Sequence, residues 1–568
     1  MRLKRTVSAF ATGVLLVIPA AIAGSPADAA GGDTQVTVGS PSAPFPQNKQ
    51  NEPDVAIDAA NPTVIAAGSN DEIDLAPCQG ARCPFTQGVG VSGIYFSFNS
   101  GTTWTQPTYT GYSARSGTAG TGPIGTLPNY VENGLVSNGD PALAFGPRRG
   151  PDGSFSYGNG TRLYYANIAT NFSAVRSEAG IKGQGAIAVS HTDDVQAAAS
   201  GLNSAWSDPV LASQRQSTTT FADKEDLTAD NAASSRYFGN VYVCFTQFRS
   251  NSGGAEPIQV ATSQDGGQTF PVQRQVSQAA SNGQQAGRQG CSVKTDSHGV
   301  VYVVFAGTDN KATAQLLSRS FDGGKSFDKP RAISFVTDCG GLDVVGRGDL
   351  TLDGQAGARN SSFPLVDVAN GAPSGVGAPN TIAAGWCDGR DGLGNEHARV
   401  VLSSNGGASF AAANLEQTGD RPGYVSLALS PNGRDLYLTY DAFLDPFRQT
   451  TADARRMQGV VRHADVIGAS TSNAATLHRG AIGDVRGSST NSLTNEFLGD
   501  YTGTAATNDY GTAVWNDVRD ATVCPAINAY RQSLIDGSPI AKPAPTTDCP
   551  AGFGNSDIYG TTLLDPTP

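Results

Sequence analysis

Four copies of one eight-residue pattern constrain this chain more than any other feature. They are Ser97-Phe98-Asn99-Ser100-Gly101-Thr102-Thr103-Trp104, Ser263-Gln264-Asp265-Gly266-Gly267-Gln268-Thr269-Phe270, Ser320-Phe321-Asp322-Gly323-Gly324-Lys325-Ser326-Phe327 and Ser403-Ser404-Asn405-Gly406-Gly407-Ala408-Ser409-Phe410. All read Ser-x-Asp/Asn-x-Gly-x-Ser/Thr-aromatic, directly after a short apolar alternating run. The acceptor place is held by Asn99, Asp265, Asp322 and Asn405. Such a corner closes a β-hairpin. Asp or Asn accepts the turn's own N–H groups, Gly supplies a left-handed backbone, and the aromatic plugs the gap beneath. A unit repeated at this scale fixes the architecture before anything else does.

The pattern resembles the Asp-box, or BNR, repeat of the sialidase superfamily. That resemblance implies an all-β propeller of four-stranded blades, with the repeat between third and fourth strands. Aligning outward from the boxes gives seven units, with six plus an irregular unit as the alternative. Innermost strands open at Asp54, Pro141, Asp226, Cys291, Phe363, Tyr424 and Tyr501. Second strands are β-branched and aromatic runs such as Val241 to Phe245 and Val300 to Phe305, as buried strands require. Third strands include Ile94 to Ser97 and Val460 to His463. The last unit stops at its third strand, Asp557 to Thr561, so Gln35-Val36-Thr37-Val38 is expected to supply its outer strand and close the ring. Blades two, six and seven lack a clean box, and Trp206 stands in for the aromatic of the second.

The remaining features set the context. Met1-Arg2-Leu3-Lys4-Arg5 is a basic start, Ala11 to Ala23 is apolar, and Ala27-Asp28-Ala29 reads as a signal-peptidase site. Residues 1–29 are therefore expected to be a cleaved signal, leaving 30–568 as one propeller domain, secreted, extracellular and monomeric, without a membrane anchor. A retained N-terminal anchor is the alternative. Charged residues make up only 15% and there are 69 glycines, which suits short strands and turns rather than helices. A net charge of −12 argues against a nucleic-acid partner.

Eight cysteines in an exported chain suggest four disulfides. Cys78 with Cys83 and Cys524 with Cys549 lie close enough to staple single loops. The blade map puts Cys244 with Cys291, and Cys339 with Cys387, on the same loop face. No Cys-x-x-Cys spacing supports zinc.

That face carries the long insertions, so chemistry is expected there rather than at the Asp boxes. Trp386-Cys387-Asp388-Gly389-Arg390-Asp391 and Trp515-Asn516-Asp517-Val518-Arg519-Asp520 share Trp-x-Asp-x-Arg-Asp. Local pairing that braces the loop is one reading; Asp388, Asp517, Arg390 and Arg519 facing a ligand is the other. Blade entrances are charged at Glu52, Asp140, Asp223-Lys224-Glu225-Asp226, Arg288, Arg359, Arg421 and Asp500-Tyr501. The resemblance implies three arginines on a sugar carboxylate (Arg288, Arg359 and Arg421, with Arg390 and Arg519 as substitutes). It also implies a Tyr nucleophile beside acids: Tyr501 with Asp500, or Tyr440 with Asp441, with Glu52 or Glu225 as base. The family's Arg-Ile-Pro signature on the first blade is absent, and Asn51-Glu52-Pro53-Asp54 takes its place. His397 reads as a solvated loop residue. No cofactor is called for; a structural calcium ion among the acids is the alternative, and no EF-hand-like spacing supports it. Two functions follow: a sialidase-like glycoside hydrolase acting on terminal sugars of extracellular glycans, or a non-catalytic propeller that binds glycan or protein on the loop face.

Overall fold

A computed structural model describes residues 32–213, 217–249, 256–278, 286–343, 345, 349–354, 359, 362–417 and 419–567. The signal segment lies outside the described residues. The chain is a seven-bladed β-propeller. Its inner strands, in blade order, are Gln50–Ile57, Ala142–Arg149, Thr220–Ala229, Ala286–Thr295, Leu365–Val368, Pro422–Leu429 and Gly503–Ala506. Each packs on the next, and the seventh packs on the first, so the ring is closed. Blades three, four and five are four-stranded antiparallel sheets in sequence order, blades two and six carry a fifth strand, and the seventh is a four-stranded sheet whose outer strand comes from the N-terminus. In the first blade Gln50–Ile57, Ile65–Asp71 and Ser92–Ser97 form the sheet, and a Phe96–Thr105 bridge starts the fourth strand.

Closure uses the N-terminal segment. Thr34–Gln35 pairs antiparallel with Asp557–Leu564, and the Val36 N–H bonds the Ile558 carbonyl at 2.8 Å. The strand is shorter and begins one residue earlier than the sequence suggests. Thr37 has turned its hydroxyl onto Asp557, which ends the ladder.

The four Asp boxes share one hydrogen-bond set. In the second copy, the Ser263 hydroxyl donates to Asp265 at 2.7 Å and accepts the Gly267 N–H at 2.8 Å. Asp265 also accepts the Thr269 N–H at 2.9 Å and its hydroxyl at 2.6 Å. Asp322 repeats these contacts, while Asn99 and Asn405 accept the same backbone N–H and donate their amide to the Thr103 and Ser409 hydroxyls. Phe270 is fully buried and Trp104 nearly so. Apolar clusters fill the seams between blades. Ile187, Val189, Val243 and Phe245 join the second blade to the third, and Val460, Leu438, Val400 and Leu402 join the fifth to the sixth. In blade two, Trp206 is buried, bridges Thr192, and donates its indole N–H to Tyr109 at 2.9 Å.

All four expected disulfides form: Cys78–Cys83, Cys244–Cys291, Cys339–Cys387 and Cys524–Cys549. The first and last share an apolar cluster with Phe45, Leu493, Ile527 and Phe553, which joins the loops of the first and seventh blades. His397 departs from expectation. It opens the strand His397–Ser403, and its ring sits between Asp391 and Glu416, 2.9 Å from each. No helix among the described residues is long and apolar enough to cross a membrane.

Candidate active site at the channel mouth

The site begins with the backbone. Six inner strands enter through a residue in the left-handed region: Glu52 (φ 56°), Asp140 (φ 54°), Lys224 (φ 58°), Gly290 (φ 69°), Ser362 (φ 51°) and Tyr424 (φ 53°). In the first, third and sixth blades this residue lies in a register break of the inner ladder, between Asn51 and Asp54, Asp223 and Asp226, and Gly423 and Ser426. Side chains other than glycine are strained there by roughly 1–2 kcal/mol each, and such residues concentrate at functional sites. The bulges take them off the flat ladder at the loop end of the channel.

Three of these six residues meet in one cluster with the seventh blade. The Lys224 ammonium pairs with Asp500 and lies 3.5 Å from Asp140. Arg359 approaches Asp500 at 2.8 Å and Glu52 at 3.8 Å. The Tyr501 hydroxyl donates to Asp140 at 3.3 Å. Asn70, on the second strand of the first blade, donates to Glu52 at 2.5 Å and accepts the Asp140 N–H at 2.8 Å. Lys224 lies over the Tyr501 ring at 5.2 Å and the Phe363 ring at 5.9 Å, and Arg359 lies over Phe497 at 5.2 Å. A cavity of about 70 Å³ opens here, lined by Lys224, Glu225, Phe363, Tyr424, Asp500 and Tyr501 among others. It continues into a larger channel cavity of about 300 Å³, and Asp54 and Asp226 line both.

Electrostatics separate the carboxyls. Burial pushes Asp500 up, but the charges of Arg359 and Lys224 overcome it, and the group sits below the usual carboxylate range. Glu52 goes the other way: burial, then the Asp140 charge, raise it well above its ordinary value. Lys224 loses hydration by burial, yet Asp140 and Asp500 hold it well above the normal lysine range. Burial also raises the Tyr501 phenol well above its ordinary value. Deeper in the channel, Asp54 is pushed up to about 7 by burial and by the charge of Asp226.

The other sequence candidates go elsewhere. Arg288 forms a two-pronged pair with Asp338, at 2.9 and 3.0 Å. Arg421 is buried against Glu396 at 2.8 Å. Arg390 closes on Asp388 at 2.6 Å, with the Trp386 indole N–H on the same carboxylate at 3.3 Å. Arg519 repeats this on Asp517 at 2.6 Å, with Trp515 at 3.1 Å, and also reaches Asp33 at 2.5 Å. Asp484 and Arg486 form a third such corner that lacks the Trp. Tyr440 donates to Asp420 at 2.6 Å, not to Asp441. Of the five arginines, Arg359 alone joins the mouth cluster among the described contacts. Asn70, Phe363, Tyr424 and Phe497 complete the site without any motif in the sequence to mark them.

No protein-family model matches the chain, and no curated protein matches it. Solved structures do. The chain is similar to a Hadza microbial sialidase, at 12% identity and TM-score 0.39, over 69% of this chain and 63% of that one. It is similar to a Trypanosoma rangeli sialidase in complex with 2,3-difluorosialic acid, at 11% identity and TM-score 0.38, over 70% and 52%. A Penicillium chrysogenum alpha-L-arabinanase complexed with arabinobiose matches at 13% identity and TM-score 0.36, over 72% and 93%. The likeness is one of fold. The chain covers less than two thirds of the length of either sialidase.

Proposed function

We propose that the protein is a glycoside hydrolase acting on terminal sugars of extracellular glycans at the channel mouth. One observation carries the reading: Arg359 bridges Asp500, whose carboxyl the neighbouring cations push below its ordinary range, and Glu52, whose carboxyl burial pushes well above it, next to the Tyr501 phenol. Carboxyls whose environments push their protonation apart are how a glycosidase separates its acid from its base or nucleophile. Glu52 is assigned as the proton donor to the leaving oxygen. Asp500 and Tyr501, which line the cavity, are assigned to the anomeric carbon or its attacking water. Arg359 is already engaged by Asp500, and among the described residues no three-arginine clamp for a sugar carboxylate is formed. The favoured substrate is therefore a neutral terminal sugar.

The test is release of aryl leaving groups from a panel of neutral aryl glycosides and an aryl sialoside, with the parent, Asp500→Asn and Tyr501→Phe. Turnover of a neutral glycoside that both variants lose supports the assignment. One observation favours the second reading, a non-catalytic propeller that binds glycan or protein on this face. The mouth cavity is about 70 Å³, well under the roughly 300–1,000 Å³ of ordinary ligand pockets. No turnover on any glycoside would select it.

A further inference from the structure

Beside the Asp500 pair, the third blade enters the channel mouth as Asp223-Lys224-Glu225, and Lys224 and Glu225 are the two residues its register break leaves without partners. Oxygens of Asp140, Asp223 and Glu225 all lie within 4.8 Å of one another. Asp140 and Asp223 are in direct side-chain contact, an arrangement that two bare carboxylates do not sustain. Glu225 is 8% exposed and lines the mouth cavity, yet neither of its oxygens meets a hydrogen-bond donor from another of the described residues. A buried carboxylate without a partner is costly, and a proton, a water or an ion relieves it. Lys224 offsets only part of that charge: its ammonium pairs with Asp500, stands 3.5 Å from Asp140, and acts on Glu225 through its field without a hydrogen bond. Five carboxyls (Glu52, Asp140, Asp223, Glu225 and Asp500) thus surround two cations, Lys224 and Arg359.

We infer that Asp140, Asp223 and Glu225 form a binding site for a hard divalent cation, calcium in the extracellular medium. The ligand set is all oxygen. Calcium–oxygen distances of roughly 2.3–2.6 Å allow ligand oxygens up to about 5 Å apart around one ion, and the three carboxylates offer oxygens within 4.8 Å of one another. The smaller magnesium ion requires near-ideal octahedral geometry and a tighter set of oxygens. The cation would tie the bulge of the third blade to the entrance of the second and offset the local excess of acids. This inference concerns binding and does not depend on turnover.

The test uses the purified full chain, stripped with a chelator and titrated with calcium chloride in a calorimeter. One calcium per chain is expected, with a matching rise in thermal midpoint. Glu225→Gln and Asp223→Asn should each weaken binding by at least about tenfold, while Asp435→Asn, at the Asp435–His463–Asp465 cluster on the sixth blade, should leave it unchanged. Circular dichroism identifies which variants retain the fold. If neither does, a terbium soak of parent crystals should give an anomalous peak between the three carboxylates. Absence of calcium binding, which would leave a shared proton between Asp140 and Asp223, overturns the inference. So does binding that survives Glu225→Gln, or a terbium peak elsewhere.

Discussion

Replacing Lys224 by Met isolates what holds the channel mouth together. The ammonium is 8% exposed and pairs with Asp500, whose side chain is 3% exposed. Breaking one side of a buried pair costs about 3–5 kcal/mol, because the surviving charge is left without compensation. Arg359 still reaches Asp500 at 2.8 Å, which argues for the low end. Loss of the cation over the Tyr501 and Phe363 rings adds about 0.5–1 kcal/mol each. The expected loss is therefore about 4 kcal/mol at pH 7, measured by urea unfolding in chelator so that no metal substitutes. The pH dependence carries the sharper test. In the parent, Asp500 is held low, so its stabilisation is present above its unfolded pKa and lost as pH falls through the folded value. Without Lys224 the Asp500 carboxylate loses support, so the deficit of the variant should shrink as pH falls toward 4 and the acid is neutralised. Lys224→Met/Asp500→Asn should recover much of the loss. A single variant less than about 1 kcal/mol below the parent, or a double variant no better than the single, would refute the reasoning.

Other outcomes follow from the same geometry. Removing Cys244–Cys291, which closes 47 residues, should cost about 4 kcal/mol on a chain-entropy basis. Removing Cys78–Cys83, which closes 5, should cost about 2; guanidinium melts of the two double-alanine variants check the order. Asp265→Ala should lower stability by about 1 kcal/mol and leave any glycosidase kinetics untouched, since its bonds are made within its own hairpin corner. Gly499 is left-handed, and a Cβ there would overlap the Glu52 side chain. Gly499→Ala should therefore lower the melting point, through backbone strain of roughly 1–2 kcal/mol and displacement of Glu52, and depress any glycosidase turnover as well. Asp54 has a folded pKa of about 7, above its unfolded value, so its ionisation should erode stability as pH rises from about 4 to 7. Asp54→Asn should flatten that slope in pH-dependent melts.

The propeller was legible because the Asp box is a local device. Ser263, Asp265 and Thr269 bond one another within a single corner, so eight residues of sequence contain the whole interaction. The register followed, since each box marks the end of a third strand, and with it came the cysteine pairs. The arginine candidates belong to a different class. Arg288 in its inner strand, and Arg421 and Arg390 just outside theirs, go where their partners Asp338, Glu396 and Asp388 hold the guanidinium. Local spacing anticipates only the last of these, where the partner is two residues away. Asn70 stands opposite Asn51 in the first blade's own ladder, beside Glu52, whereas Phe497 meets Arg359 across more than a hundred residues of chain, a long-range contact that no short pattern encodes.

The least legible feature is also the one that builds the site. A left-handed residue at a blade entrance is ordinarily glycine, and the fourth blade does use Gly290, where a Cβ would strike the Phe363 ring. At the same place the other entrances carry Glu52, Asp140, Lys224, Ser362 and Tyr424. Each accepts backbone strain that glycine would relieve, and nothing in hairpin or sheet geometry requires a charged or aromatic side chain there. Glycine at all six would give the same ring with less strain, so the side chains themselves must be what the position retains. Three of the five meet through Asp500, Arg359 and Asn70, and Tyr424 lines the same cavity. The repeat thus provides a common bend, and the chain fills successive copies of that bend with different functional groups around one axis.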